Sequence, residues 1–323
     1  RRLRSLADTW REIAGSPPDR SAALIAADRI DILFDLAGHT AGNALPVFAY
    51  KPSPVQATWL GYPDTTGLSR IDYRLMGRPP TPEEQALSSE RLLGEGWGIF
   101  RPPAGTPDVV PPPVLAGGPP VYGAFNKPLK TSERCFAAWC RILTGVPGSR
   151  LLLSVPGCED SAVREHWQRR FEGAGIDAER VELFGRLPLP AFLEMIARVD
   201  VALDPFPYNG GTTTLLTAWM GVPLVCLCGR DGAGQTGAAV MSALGLGECV
   251  ATDEDTYVRT AIELARSPAM LAEMRATGRA RMLVSPLMDE AAYARSFLAT
   301  LRQIWRDHVG RAAHSSYTSP EGK

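Results

Sequence analysis

The chain has 323 residues, 45% of them hydrophobic, which is enough for one large domain or two ordinary ones with substantial cores. Its formal net charge is -1, so no global field draws it to nucleic acid or to an anionic membrane. No apolar run approaches the ~20 residues that cross a bilayer, and no signal peptide opens the sequence.

Read in chain order, SAALIAADRIDILFDL (21–36) changes from helical spacing to a short apolar run, a helix followed by a buried strand. The glycine-rich AGHTAGN turn follows, then a second strand from Val55 to Leu60 closed by Gly61 and Pro63, and a third at IDYRLM (71–76). Three strands are expected in this first part. Residues 102–120, PPAGTPDVVPPPVLAGGPP, are too proline-dense for a regular element and read as an extended linker.

Alternation then restarts. Strands are expected at 121–125, 150–155, 181–184, 201–203 and 223–227. Helices are expected from the Thr131 or Ser132 cap to about 143, and at 163–174, 189–199, 212–220, 238–244 and 257–266. Such alternation is the grammar of an α/β fold with a doubly wound parallel sheet. The expected layout is a partial N-terminal domain (1–104), a proline-rich linker (105–120), a second domain (121–287), a closing helix (288–310) and a disordered polar tail (311–323).

The six cysteines, Cys135, Cys140, Cys158, Cys226, Cys228 and Cys249, form no C-x-x-C pair and no ligand spacing with the four histidines. Reduced thiols in a cytoplasmic protein without a metal site are expected.

Two segments carry candidate chemistry. In DPFPYNGGTTTLLTAWMG (204–221) a strand ends in a rigid turn, then two glycines and three threonines open an apolar helix. Gly210 and Gly211 let an anion approach the backbone, Thr212 and Thr213 add hydroxyl donors, and the helix start adds unpaired N–H groups. Taken alone, the same residues also read as an ordinary N-cap before a core helix. FNKPLKTS (125–132) again joins a strand to a helix, placing Asn126, Lys127 and Lys130 at a strand's carboxyl end, where open α/β sheets bind ligands. Taken alone, the two lysines also read as solvated loop charges.

DILFDLAGHTAGN, PVQATWLGYPDTTG, GAFNKPLK and DPFPYNGGTTT with its WMGVPLV continuation occur in this order, within a resemblance that runs from about residue 20 to about residue 305 and is interrupted around the linker. Together they resemble the catalytic region of the O-linked N-acetylglucosamine transferases, including bacterial members and the SPINDLY-like branch. The resemblance implies an α/β GT-B fold, two Rossmann-like domains facing a cleft, with the N-terminal one truncated here. It implies inverting, metal-independent transfer of a sugar from UDP-GlcNAc or another UDP-sugar to a Ser or Thr hydroxyl of a protein acceptor. The UDP-sugar is then a substrate and no cofactor is needed; neither nucleic acid nor membrane is a partner.

Carried over by motif, Lys130 is the catalytic lysine that stabilises the leaving diphosphate. Asn126, Lys127, Gly210, Gly211, Thr212 and Thr213 complete the diphosphate site. Leu187, Leu189, Phe192 and Leu216 fall near the nucleobase and ribose. His39, Gly61, Tyr62, Pro63, Thr65 and Thr66 fall near the sugar and acceptor. Several positions depart from the pattern: Leu216 where the family has an acidic residue for the ribose, Phe192 for a histidine, Gly232 and Gln235 in a normally charged stretch, and Asp64 for a glycine. Family members also carry an N-terminal catalytic segment with an important histidine, preceded by tetratricopeptide helices. The start at Arg1 leads to the expectation of a shortened chain whose full-length form has a helical-repeat region upstream. A catalytically impaired nucleotide-binding module and a GT-B transferase with another acceptor are the competing expectations.

Overall fold

The computed structural model describes residues 3–94, 100–230 and 232–317. It divides into two compact units: Arg1–Gly98 with Ala291–Lys323, and Ile99–Glu290.

The first unit holds a four-stranded, wholly parallel sheet ordered β1-β2-β3-β4, with β1 at Ile32–Asp35, β2 at Val55–Thr58, β3 at Tyr73–Met76 and β4 at Arg91–Gly94. Its shorter helices are α1 (Pro18–Ala27), α2 (Leu45–Ala49) and α3 (Pro82–Ala86). β4 exceeds the three strands expected. RLLG is short and carries no alternation, so its pairing is decided by the sheet edge that β3 offers. Just before it, Thr81 and Glu84 form a reciprocal capping box that starts α3. One sheet face packs Val55, Ala57, Tyr73 and Leu75 against Ile304, and the other places Leu45, Phe48 and Ile71 beside Leu33 and Leu68. This two-sided burial explains why the strands read as continuous apolar runs.

In the second unit six parallel strands are ordered β10-β9-β8-β5-β6-β7. They are β5 (Val121–Ala124), β6 (Arg150–Ser154), β7 (Val181–Phe184), β8 (Val201–Leu203), β9 (Leu224–Leu227) and β10 (Val250–Ala251). Numbered within the unit, this is the 3-2-1-4-5-6 order of a doubly wound dinucleotide-type sheet, with its switch point between β5 and β8. The helices are α4 (Glu133–Gly145), α5 (Ser161–Gly173), α6 (Leu189–Ala197), α7 (Thr212–Trp219), α8 (Gly232–Ala243), α9 (Glu254–Ala265) and α10 (Pro268–Leu283). Ser132, Asp160 and Asp253 cap α4, α5 and α9 by accepting first-turn amides. The unexpected α10 follows from good helix formers, with Leu271, Met274 and Met282 buried.

The proline-rich segment is more ordered than a linker. Pro113–Ala116 forms a 3₁₀ turn, the Asp200 carboxylate accepts from the Val114 and Val121 amides, and the Arg279 guanidinium donates to the Pro107 carbonyl. The last described element is α11, Glu290–Tyr317, which belongs to the first unit from Ala291 onward. Phe34, Trp59, Tyr293 and Phe297 form an aromatic cluster there, with centroids 5.1–5.9 Å apart. The tail expected to be disordered from 311 is instead helical through Tyr317, because extending an existing helix adds a hydrogen bond per residue without a new nucleus. Residues 318–323 lie outside the described residues.

Candidate anion-binding site at the sheet switch point

The site is built at the carboxyl ends of β5 and β8, on either side of the switch point. β8 is followed at once by Asp204, whose side chain is wholly buried. Its Oδ1 accepts from the Gly210 amide at 2.9 Å, the Thr214 hydroxyl at 3.3 Å and the Asn126 side-chain amide at 3.3 Å. The turn between is pinned by Asn209: its side-chain amide donates to the Pro205 carbonyl at 2.9 Å, and its Oδ1 accepts from the Gly237 amide at 3.2 Å.

Behind it, the Tyr257 hydroxyl donates to the Asp204 carbonyl at 3.0 Å and accepts from the Trp139 indole at 3.2 Å. Across the switch point, a 3₁₀ turn at Pro128–Lys130 brings Lys130 back over the site. Its Nζ donates to the Asn209 carbonyl at 2.7 Å and lies 3.9 Å from the Tyr208 ring centroid. Partial burial lowers its pKa to about 8, with nearby Asp204 pulling upward and Lys127 downward.

α7 opens at Gly211 with no side-chain cap, so its first-turn N–H groups face outward with the positive end of the helix dipole. Thr212 is exposed and Thr213 half-buried, whereas Thr214 is buried against Asp204. Gly210 is required by packing: a Cβ there would fall 2.3 Å from Thr214 Oγ1 and 2.8 Å from Asp204 Oδ1. The result is a rigid frame presenting an ammonium, free amides and hydroxyls, a combination suited to an anion such as a diphosphate.

The structure thus brings Asn126, Lys130, Gly210, Gly211, Thr212 and Thr213 together on the loops at this edge, with Lys127 exposed on the same turn. Phe192 packs edge-on against Phe125 at 5.8 Å and keeps part of its ring exposed; Leu187 is half-buried and Leu189 exposed. Leu216 is buried in α7. Leu216→Asp is therefore expected to lower the thermal midpoint sharply, at a cost of roughly 3 kcal/mol or more. A calorimetric scan that matches the unaltered chain would contradict this placement of the side chain.

The other predicted residues belong to the first unit. Asp35, buried at the end of β1, accepts from the Ala37 and Gly38 amides and from the Thr58 hydroxyl at 2.7 Å. This shapes the turn that carries the exposed His39. His39 Nε2 lies 3.0 Å from the Thr66 carbonyl, and its ring meets Tyr62 edge-on at 5.3 Å. Gly61 lies so close to β1 that a Cβ would fall 2.1 Å from the Leu36 carbonyl oxygen. The Pro63 carbonyl accepts from buried Arg74 at 3.0 Å, and Arg74 also pairs with Asp64 at 3.3 Å.

Thr65 and Thr66 spend their hydroxyls inward, both on the buried Glu90 carboxylate. Burial pushes the Glu90 pKa up, but the Thr66 and Thr65 donors outweigh it and hold it below the usual glutamate value. The linked stability is present above the unfolded pKa and is lost as pH falls through the folded one. Glu90→Gln is expected to cost about 1–3 kcal/mol and to flatten the acid side of the stability profile, read by urea titration at several pH values.

Asp204, Tyr208, Asn209, Thr214 and Glu90 were not singled out as site residues by sequence reasoning. Only the segment containing the first four was signalled, by its glycines and threonines. Among the described residues, no group of three or more His, Cys, Asp or Glu side chains could hold a metal ion.

Residues 14–93 and 115–297 match glycosyl transferase family 41. The chain belongs to this family. It is 37% identical over 305 residues to a probable UDP-N-acetylglucosamine--peptide N-acetylglucosaminyltransferase SPINDLY of Solanum lycopersicum, covering 92% of this chain and 32% of the relative. The corresponding protein of Arabidopsis thaliana is 35% identical over 307 residues, covering 93% of this chain and 33% of the relative. The chain therefore spans about a third of the length of these curated relatives. A solved mutant form of the Thermobaculum terrenum O-GlcNAc transferase superposes with a TM-score of 0.88 at 34% identity, covering 96% of this chain and 60% of that one. The two parallel-sheet units are those of that family 41 structure, a GT-B fold, and the site above lies within the second matched stretch.

Proposed function

We propose that this chain is the catalytic region of an inverting, metal-independent glycosyltransferase that moves N-acetylglucosamine from UDP to Ser or Thr hydroxyls of proteins. The observation that carries the reading is Lys130, held half-buried beside the uncapped start of α7 at the switch point of the second sheet. The acceptor oxygen forms its bond to the anomeric carbon as the bond to the β-phosphate oxygen breaks. UDP leaves with the electron pair, and the hydroxyl proton passes to base or solvent. Lys130 and the α7 amides stabilise the negative charge gathering on the departing diphosphate, the interaction that counts most in the transition state. The plant relatives, named as probable UDP-N-acetylglucosamine--peptide N-acetylglucosaminyltransferases, support the donor and the peptide acceptor of this reading.

In this reading the UDP-sugar is a consumed substrate and no cofactor takes part. The acceptor is a protein, selected largely by a helical-repeat region of the full-length protein. The six free cysteines support a reducing, cytoplasmic setting, and no helix among the described residues is long and apolar enough to cross a membrane. Incubation with UDP-[14C]GlcNAc and candidate acceptor proteins tests the proposal. Label should appear on Ser or Thr, and its absence with both the chain and the full-length protein would sink the reading. One observation favours a second reading, a nucleotide-binding module without turnover: Leu216, where the family pattern has an acidic residue, is apolar and buried. UDP binding by calorimetry without label transfer would select it.

A further inference from the structure

Among the described residues, Asp204 is the one carboxyl group in the frame of this site, and it faces inward rather than toward a ligand. Oδ1 gathers three donors from three separate elements: Asn126 after β5, Gly210 in the turn, and Thr214 in the first turn of α7. Oδ2 has no hydrogen-bond partner. Gly237 closes over it so tightly that a Cβ there would lie 2.4 Å away. An ionised oxygen buried without a partner is costly, and a negative charge behind an anion site opposes the anion. Both facts favour the protonated acid once a diphosphate is bound.

We propose that Asp204 is a positioning residue whose buried carboxyl orients Gly210, Thr214 and Asn126 for the donor diphosphate and takes up a proton when that diphosphate binds. This rests on the donor-binding reading above. The groups facing Asp204 leave it as the proton acceptor. Cys135 on α4, Cys226 on β9 and Tyr257 on α9 are all pushed upward by burial and stay neutral near neutrality. Thr214 on α7 and Gly237 on α8 carry no charge. Lys130 is the facing cation, with Lys127 acting on Lys130 in turn. Burial raises the Asp204 pKa to about 7 against the pull of the Gly210 amide, Lys130, Thr214 and Asn126. The sign follows: a nearby diphosphate raises it further, so donor affinity rises as pH falls toward about 7 and levels off below that value.

UDP-GlcNAc is the suitable probe, because its diphosphate is esterified at both ends and does not itself titrate near neutrality. Calorimetric titration into the full chain, in buffers of different ionisation enthalpy, counts the protons taken up. The unaltered chain is expected to take up as much as one proton per donor bound just above neutrality, and to lose up to about tenfold in affinity per pH unit in the step between the donor-free and the donor-bound pKa. Asp204→Asn is expected to remove that step and keep only the alkaline loss due to Lys130. Thr214→Val, which removes one donor to the carboxylate, should move the step to higher pH. It carries the test if Asp204→Asn does not fold. A step unchanged in both variants overturns the proposal.

If the unaltered chain binds no UDP-GlcNAc, the donor-binding reading has failed, and amide hydrogen exchange decides the positioning role by itself. Exchange at Gly210 and Thr214 should then rise about tenfold in the variants while α4 is unaffected; unchanged exchange overturns it.

Discussion

Exchange of Lys130 for methionine is expected to lower sugar transfer by roughly 10²–10³-fold while leaving the fold intact. The loss follows from removing the one ammonium that the frame holds in place, by the Asn209 carbonyl at 2.7 Å and the Tyr208 ring at 3.9 Å. Methionine is unbranched and of similar reach, so it fills the half-buried channel without a charge. Because the Lys130 pKa is lowered to about 8, its ammonium is complete below that value and is lost above it. Transfer by the unaltered chain should therefore decline as pH rises through about 8, and the residual rate of the variant should lack this alkaline limb. Initial rates across pH, with a thermal scan beside them, check both statements. Full activity in a folded methionine variant would remove Lys130 from the chemistry.

The second large effect separates two adjacent glycines. Gly210→Ala sets a Cβ 2.3 Å from Thr214 Oγ1, 2.8 Å from Asp204 Oδ1 and 2.9 Å from Asn126 Oδ1. All three atoms belong to the bonded frame, so none yields cheaply. The substitution is expected to cost about 1–3 kcal/mol of stability and to weaken UDP binding by more than about tenfold. Gly211→Ala meets nothing within 4 Å and should melt with the unaltered chain. Any loss of UDP affinity there reports how closely the phosphate approaches the backbone. Equal melting and equal binding in both variants would mean that the turn does not frame the ligand.

What the sequence revealed was local. A strand, a proline turn, paired glycines and a threonine-rich helix start follow one another over residues 201–221, and the periodicity changes in step. The FNKPLK turn was legible for the same reason. What stayed hidden depends on contacts between distant residues. Asp204 looks like any strand-ending aspartate until Asn126, 78 residues earlier, is seen bonded to it. Glu90 lies in an unpatterned stretch, and only the fold brings it to Thr66, 24 residues away. Its presence shows that the Thr65 and Thr66 hydroxyls serve the loop's own architecture, which motif matching could not reveal. β4 escaped because four residues without alternation carry no period, and α10 because its pattern is dominated by alanine, arginine and methionine rather than an apolar stripe.

The proline-rich stretch bears on how the molecule can be divided. Composition suggests cutting at 121, where the first strand of the second sheet begins. A gene shortened there would discard backbone that bonds two side chains and a valine that packs over a glycine. Asp200 would lose the Val114 amide, Arg279 would lose the Pro107 carbonyl, and Gly221 would lose its cover from Val109. A buried aspartate deprived of a donor pulls on its surroundings, and the Asp200 charge also acts on the buried Arg275, whose Nε and Nη1 have no hydrogen-bond partner. A separable piece carrying the second sheet should therefore start near residue 100, where the Phe100 amide donates to the Leu287 carbonyl and closes the unit on itself. What composition marks as a spacer is, for anyone expressing that piece, part of the body.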